Sequence, residues 1–344
     1  MNKKRLLIFG IGLIIAFVIA SYLRKDEPRM YHITGQTMGT IIYNVKYIDR
    51  FKEGLDKEIA DELVAFNQSL STYIPSSEIS TLNEQGSLSF QSKYFYPVLQ
   101  TSREVFKATQ GTFDPSIGPL VQAWGFGPNK TIPRLDSSTV DSLRSIIGFD
   151  QVQFDEAGVK QPANFQLDFG AIAKGYAVDV VAELLEAKGI GDYLVEIGGE
   201  VRCRGVNEEG KPWSLGIEDP TVSSDEQRLL AIVRLKDLSL ATSGNYRNYY
   251  EKDGKIFAHI IDPRTGYTAK HNLLSASVFA TDCMTADAYA TAFMVLGVDY
   301  SKEIMKAQGL DGILVYRNRN GDLESYVSEG IKPFLEMNKT TGIK

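Results

Sequence analysis

Asp287 and Thr291, within TADAYATAFMVLG, are four residues apart and share one face of a helix. A carboxylate beside a hydroxyl is hard-oxygen ligation, which suits Mg2+ and does not suit zinc. The rest of that face is Ala, Phe, Met and Leu, so an aspartate there needs a partner. The competing reading is a surface aspartate, with Thr291 bonded back to a helix carbonyl. One carboxylate makes a thin magnesium site unless substrate phosphates and a backbone carbonyl complete it.

Three other stretches carry candidate chemistry. In DFGAIAKGYAVD (168–179) a helix start follows a glycine, which leaves free N–H groups for an anion. Asp168 is either the cap of that helix or an acceptor for a ligand N–H, such as the edge of a base or a flavin. Lys174 is either a phosphate or ring contact or a solvated surface lysine. TFDPSIGPLVQAWGFGP (112–128), rich in proline, glycine and aromatics, reads as an irregular loop. Its Trp124-Gly125-Phe126 offers flat faces to a planar ring, or else pins the loop to the core. In GKIFAHIIDPRTG, one of only three histidines, His259, shares a strand face with Phe257 and Ile261, ahead of an Asp262-Pro263 turn. It is a general base or a satisfied structural histidine.

The elements that must position these groups are legible from periodicity. Leu55, Ile59, Leu63 and Phe66 mark a helix within 51–70. A second helix spans 92–110, with Gly111 just past its end. A third follows Asp168, with Ile172, Tyr176, Val180 and Leu184 at steps of four. GTIIYNVKYI reads as a strand. From Tyr193 to about Ala280 the strand-like runs YLVEIGGEVRCRG, WSLGIED, LLAIVRLKDLSLATSG, KIFAHIID and LLSASVFA follow one another. ILVYRNRNGDLESYV is a hairpin turning at Asn320-Gly321. Helices segregate from sequential strands, which predicts an α+β domain with a mainly antiparallel sheet.

Composition narrows the function classes. A net charge of −6 argues against nucleic-acid binding, so a polyanionic substrate must be held by a metal, backbone amides or a few cations. Cys203 and Cys283 have no zinc-ligand spacing. The phosphate-loop, HExxH and GxSxG patterns are absent. Residues 1–5 are basic and 6–23 are an unbroken apolar run, a signal anchor or a signal peptide, with the anchor preferred. No cysteine follows that run, so a lipoprotein is not supported. Residues 24–30 form a linker, 31–337 the catalytic domain and 338–344 a flexible tail. The expected location is the cell inner membrane, with the domain facing the periplasm or the cell exterior.

GQTMGT (35–40), LSTYIPSSEISTLN (70–83), FDPSIGPLVQAWGFGP (113–128), LDFGAIAKGYAVD (167–179), EIGGEVRCRG (196–205), LATSGNYRNYY (240–250), HIIDPRTG (259–266) and TADAYATAFMVLG (285–297) occur in the order of one family. Together they resemble the ApbE family of FAD:protein FMN transferases. The resemblance implies a single T-fold-like α+β domain, with FAD as substrate. The FMN half of FAD would pass to a threonine hydroxyl of an acceptor flavoprotein subunit, a membrane-associated redox protein, with release of AMP. It implies that Met38, Tyr73, Trp124, Gly125, Phe126, Asp168, Lys174 and Ile261 contact FAD. Asp287, Thr291 and the carbonyl of Ala171 would hold Mg2+. Some members carry an acidic residue where this chain has Lys174, and some have an aspartate at the position of Ala290. A threonine hydroxyl is a poor nucleophile, and a base adds roughly 10²–10⁴-fold. His259 is the first choice for that base, with Asp262 second, as the base or as the group that orients the histidine. Two rivals remain: a Mg2+-dependent FAD pyrophosphatase and a non-catalytic flavin-binding protein.

Overall fold

Eight strands, antiparallel at every pairing, form the main sheet of the computed structural model. Their order is 29–37, 41–49, 192–197, 200–204, 238–244, 273–280, 311–317 and 323–327. The structure describes residues 27–50, 54–127, 135–222, 228–244, 249–252, 255–258, 260–269 and 271–338. One face of the sheet carries the helices, and the main core lies between them. The other face packs on a three-stranded sheet of Trp213–Glu218, Leu229–Leu235 and Leu335–Met337. Two covered faces explain why Leu273–Ala280 is buried at nearly every position and shows no alternation.

The expected helices form at Asp56–Leu70, Phe95–Ala108, Ala173–Ala187 and Cys283–Leu296. Asp282 caps the last, its side chain accepting from the Thr285 amide. That helix is buried almost all round, as its run of alanines permits, and packs against the Ala173–Ala187 helix and two central strands. The Gly198-Gly199 turn, with φ of 64° and 102°, joins Ile197 to Glu200 in a two-residue hairpin that needs left-handed backbone at both positions.

Three features differ from the sequence reading. Strand Arg29–Thr37 pairs residue for residue with Ile41–Asp49. As an edge strand it buries only Ile33 and Thr37, so its apolar pattern is too sparse to read. The 112–128 stretch is not wholly irregular: Gly118–Ala123 is a short helix with proline in its first turn. Asp168 is not the cap of the Ala173–Ala187 helix, which starts from Ile172. No helix of the described residues is long and apolar enough to cross a membrane, and the apolar run 6–23 lies outside the described residues.

Candidate functional site

The site is built where the amino end of the Ala173–Ala187 helix meets the Cys283–Leu296 helix. Gly175 permits the approach: a Cβ there would lie 2.2 Å from the Cys283 carbonyl oxygen. Tyr176 closes the first helical turn by donating to Ile172. The Gly175 amide does not donate four residues back. It donates to Asp287 Oδ2 at 2.9 Å, and among the described residues no backbone amide donates to the Ala171 carbonyl. Asp287 is 2% exposed, so this bond fixes a buried carboxylate at the start of the helix. Thr291 lies one turn on, its hydroxyl 3.2 Å from Ser243 Oγ. The surface-aspartate alternative fails on that burial. Cys283 is an inert neighbour, its thiol pushed well above the usual range by burial.

Lys174 occupies the first turn of the same helix. Its ammonium pairs with Glu200, which is 1% exposed. Burial works against the Lys174 charge, but the carboxylates of Asp287 and Glu200 raise its pKa above the ordinary lysine range. Burial likewise pushes Glu200 up, with the Lys174 charge opposing. The pair lies under the Gly198-Gly199 turn, whose position 198 faces Ile41, Glu200 Oε2 and the Lys174 stem. That brings the neighbouring hairpin turn close, where Met38 sits in left-handed backbone (φ 47°) and packs on the main core. Lys174 is therefore not a solvated surface lysine.

The aromatic loop and the Asp-Pro turn meet as a second group. Trp124 Nε1 donates to the Gly266 carbonyl at 2.9 Å, across 142 residues of sequence. Its ring stands edge-on to Tyr267, with centroids 6.2 Å apart. Trp124, Phe126 and Ile261 share one small apolar cluster with Leu120. Gly125, at φ 80°, makes the turn that brings Phe126 back beside Trp124. Asp114 shapes the start of this stretch, accepting from the Ser116 amide (2.8 Å) and hydroxyl (2.6 Å). Asp262 is buried, and both its oxygens bond Arg264, at 3.0 Å to Nε and 2.9 Å to Nη2. His259 lies outside the described residues.

A cleft of about 280 Å³ opens beside the aromatic loop, between residues 118–127 and 166–168. Asp168 and Gly127 line it, with Thr72, Asn83 and Gln122. Asp168 Oδ1 accepts from the Gly170 amide at 2.7 Å, and burial raises its carboxyl while that bond draws it back. Tyr73, 65% exposed, stands close enough for Asp168 to add to the upward shift that burial gives its phenol. A larger open groove, about 790 Å³, lies among residues 85–91 and 153–160 and contains none of the candidate residues.

Sequence reading missed Glu200 and Ser243 as parts of the site. Glu200 was detectable as an acid directly after Gly-Gly, at the start of a strand. Ser243 carried no signal. Both cysteines are free and buried. Among the described residues, no three His, Cys, Asp or Glu side chains cluster as a metal cage. A Mg2+ site of one carboxylate, one hydroxyl and one carbonyl would not form such a cluster, since that ion keeps its remaining positions for water and phosphate oxygens.

The model of the ApbE family matches residues 38–314. The chain is 36% identical to a FAD:protein FMN transferase of Haemophilus influenzae, over 97% of this chain and 99% of that one. It is 37% identical to the protein of the same name from Vibrio cholerae, over 90% and 94%. Among solved structures it resembles the flavin transferase ApbE from Vibrio cholerae, with a TM-score of 0.79 and 34% identity, covering 89% of this chain and 99% of that one. The apo flavinyl transferase ApbE of Pseudomonas stutzeri gives a TM-score of 0.79 at 29% identity, over 90% and 97%.

Proposed function

The chain belongs to the ApbE family, and from that premise we propose that it moves the FMN half of FAD onto a threonine hydroxyl of an acceptor protein, with Mg2+ as cofactor. The threonine Oγ forms a bond to the FMN phosphorus, the bridging P–O bond of the diphosphate breaks, and AMP leaves with the bridging oxygen. The observation that carries this reading is the Gly175–Asp287 bond, which holds a buried carboxylate one turn from Thr291 and, among the described residues, leaves the Ala171 carbonyl unbonded by backbone amides. Those three hard oxygens fit Mg2+ and would hold it; when bound, the ion neutralises charge on the diphosphate oxygens.

The remaining roles are proposed on the family pattern. Trp124, Gly125, Phe126 and Ile261 wall the flavin, with Met38 and Tyr73 at its edges. Asp168 accepts from a flavin N–H, and Lys174 turns toward the phosphates or the ring. His259 takes the threonine proton. Asp262, with both oxygens held by Arg264, is better suited to an orienting role than to that of the base. Residues 6–23 anchor or export the chain, so the domain works outside the inner membrane on membrane-associated redox subunits.

The test uses the full-length chain with FAD and Mg2+, with and without an acceptor subunit carrying a threonine target. AMP release with an FMN-sized mass gain on the acceptor is expected, and Asp287→Ala abolishes both. AMP without acceptor modification would instead identify a FAD pyrophosphatase. Bound FAD with no AMP would identify a flavin carrier.

A further inference from the structure

Lys174 feels the charges of two buried carboxylates and pairs with one of them. Among the described residues Glu200 is its ion-pair partner, although Asp287 is near enough to raise its pKa. Glu200 is anchored in strand Glu200–Arg204 directly after the Gly198-Gly199 turn, so its backbone is fixed on the sheet. Its second oxygen, Oε2, is buried and has no hydrogen-bond partner among the described residues. A buried carboxylate oxygen left without a partner is costly. Its visible consequence is where it puts the ammonium of Lys174.

We infer that Glu200 is a positioning residue that holds Lys174 off Asp287 and so keeps Asp287 available to a divalent cation. The inference rests on the Mg2+ reading above. Without the Glu200 charge, Asp287 is the remaining carboxylate whose charge raises the ammonium's pKa. An ammonium docked on Asp287 satisfies the same oxygen that a metal needs and competes with it directly. With Glu200 present, the three charges sum to −1, a net attraction for a cation. Neutralising Glu200 alone brings the sum to zero and frees the competitor. Removing Lys174 as well restores −1 with no competitor present.

The experiment measures Mn2+ binding to the full-length chain at pH 8 without FAD, by the loss of the free-ion electron paramagnetic resonance signal, followed by displacement with Mg2+. Glu200→Gln is expected to weaken binding roughly 10–100-fold, the range found when partners behind metal ligands are removed. The double variant Lys174→Met/Glu200→Gln is expected to recover affinity toward the wild-type value, which a merely structural loss at Glu200 would not do. Lys174→Met alone is expected to bind at least as tightly as wild type. Wild-type affinity in Glu200→Gln, or a double variant no better than it, overturns the inference. If Glu200→Gln gives no cooperative melt, Lys174→Met decides, and weaker binding by that variant overturns it. Asp287→Ala serves as the control: wild-type affinity there would sink the Mg2+ reading and this inference with it, whereas loss there with no effect of Glu200→Gln would sink this inference alone.

Discussion

Replacing Gly175 with alanine tests whether two helix backbones aim Asp287. The new Cβ would lie 2.2 Å from the Cys283 carbonyl oxygen, 2.7 Å from its carbon and 2.7 Å from Asp287 Cβ. None of these atoms is the end of a flexible side chain. Ordinary contact begins at 3.4 Å, so the helices must part by more than 1 Å. Alanine returns about 1 kcal/mol of helix propensity, while overpacking costs about 1–3 kcal/mol, and rigid backbone puts this site at the upper end. The net loss is about 1–2 kcal/mol, a fall of several degrees in Tm. The effect on turnover is larger, because a displacement of about 1 Å at a reacting group costs on the order of 100-fold. The same shift stretches the 2.9 Å bond from the Gly175 amide to Asp287. The assay pairs a thermal melt with AMP release at a temperature where the variant is fully folded. Gly191→Ala, where a Cβ meets nothing within 4 Å, serves as the control. A folded Gly175→Ala enzyme working at the wild-type rate would refute this account of how Asp287 is aimed.

Trp124→Phe keeps a ring but loses the N–H that reaches the Gly266 carbonyl. A stability loss of about 0.5–1.5 kcal/mol is expected in urea unfolding, with KM for FAD rising more than kcat falls, since the bond ties together two walls of the proposed flavin pocket. Equal effects on KM and kcat would count against that role. His271 gives a pH signature: burial holds it below its ordinary 6.5, against the pull of the Met294 carbonyl and the Asp262 charge. A depressed folded-state pKa means that its contribution is complete above about 6.5 and drains away as pH falls through the lower folded value. Unfolding between pH 8 and pH 5 should show this slope, and His271→Gln should flatten it; an unchanged slope would remove His271 as the cause.

The chemistry was more legible in the sequence than its pairings were. The Asp56–Leu70 helix was readable because Ile59, Leu63 and Phe66 recur on a single buried stripe. The helix Glu78–Gln85 was not, since it buries only Ile79 and Leu82. Asp287 and Thr291 were readable as a pair because helical spacing alone puts them on one face. What aims Asp287, however, is an amide 112 residues earlier, at a glycine whose need is set by the Cys283 backbone. The period of one helix carries no information about where it touches another. Glu200 makes the same point from the opposite side. A lone acid after Gly-Gly in a buried strand is visible, but its pairing with Lys174 depends on which strand lies beneath that helix. Long-range contacts of this kind decide the charge balance around Asp287. The same carboxylate and hydroxyl could therefore occur in a chain that binds no metal, and the orientation set by Gly175 and Glu200 is the feature that would distinguish the two.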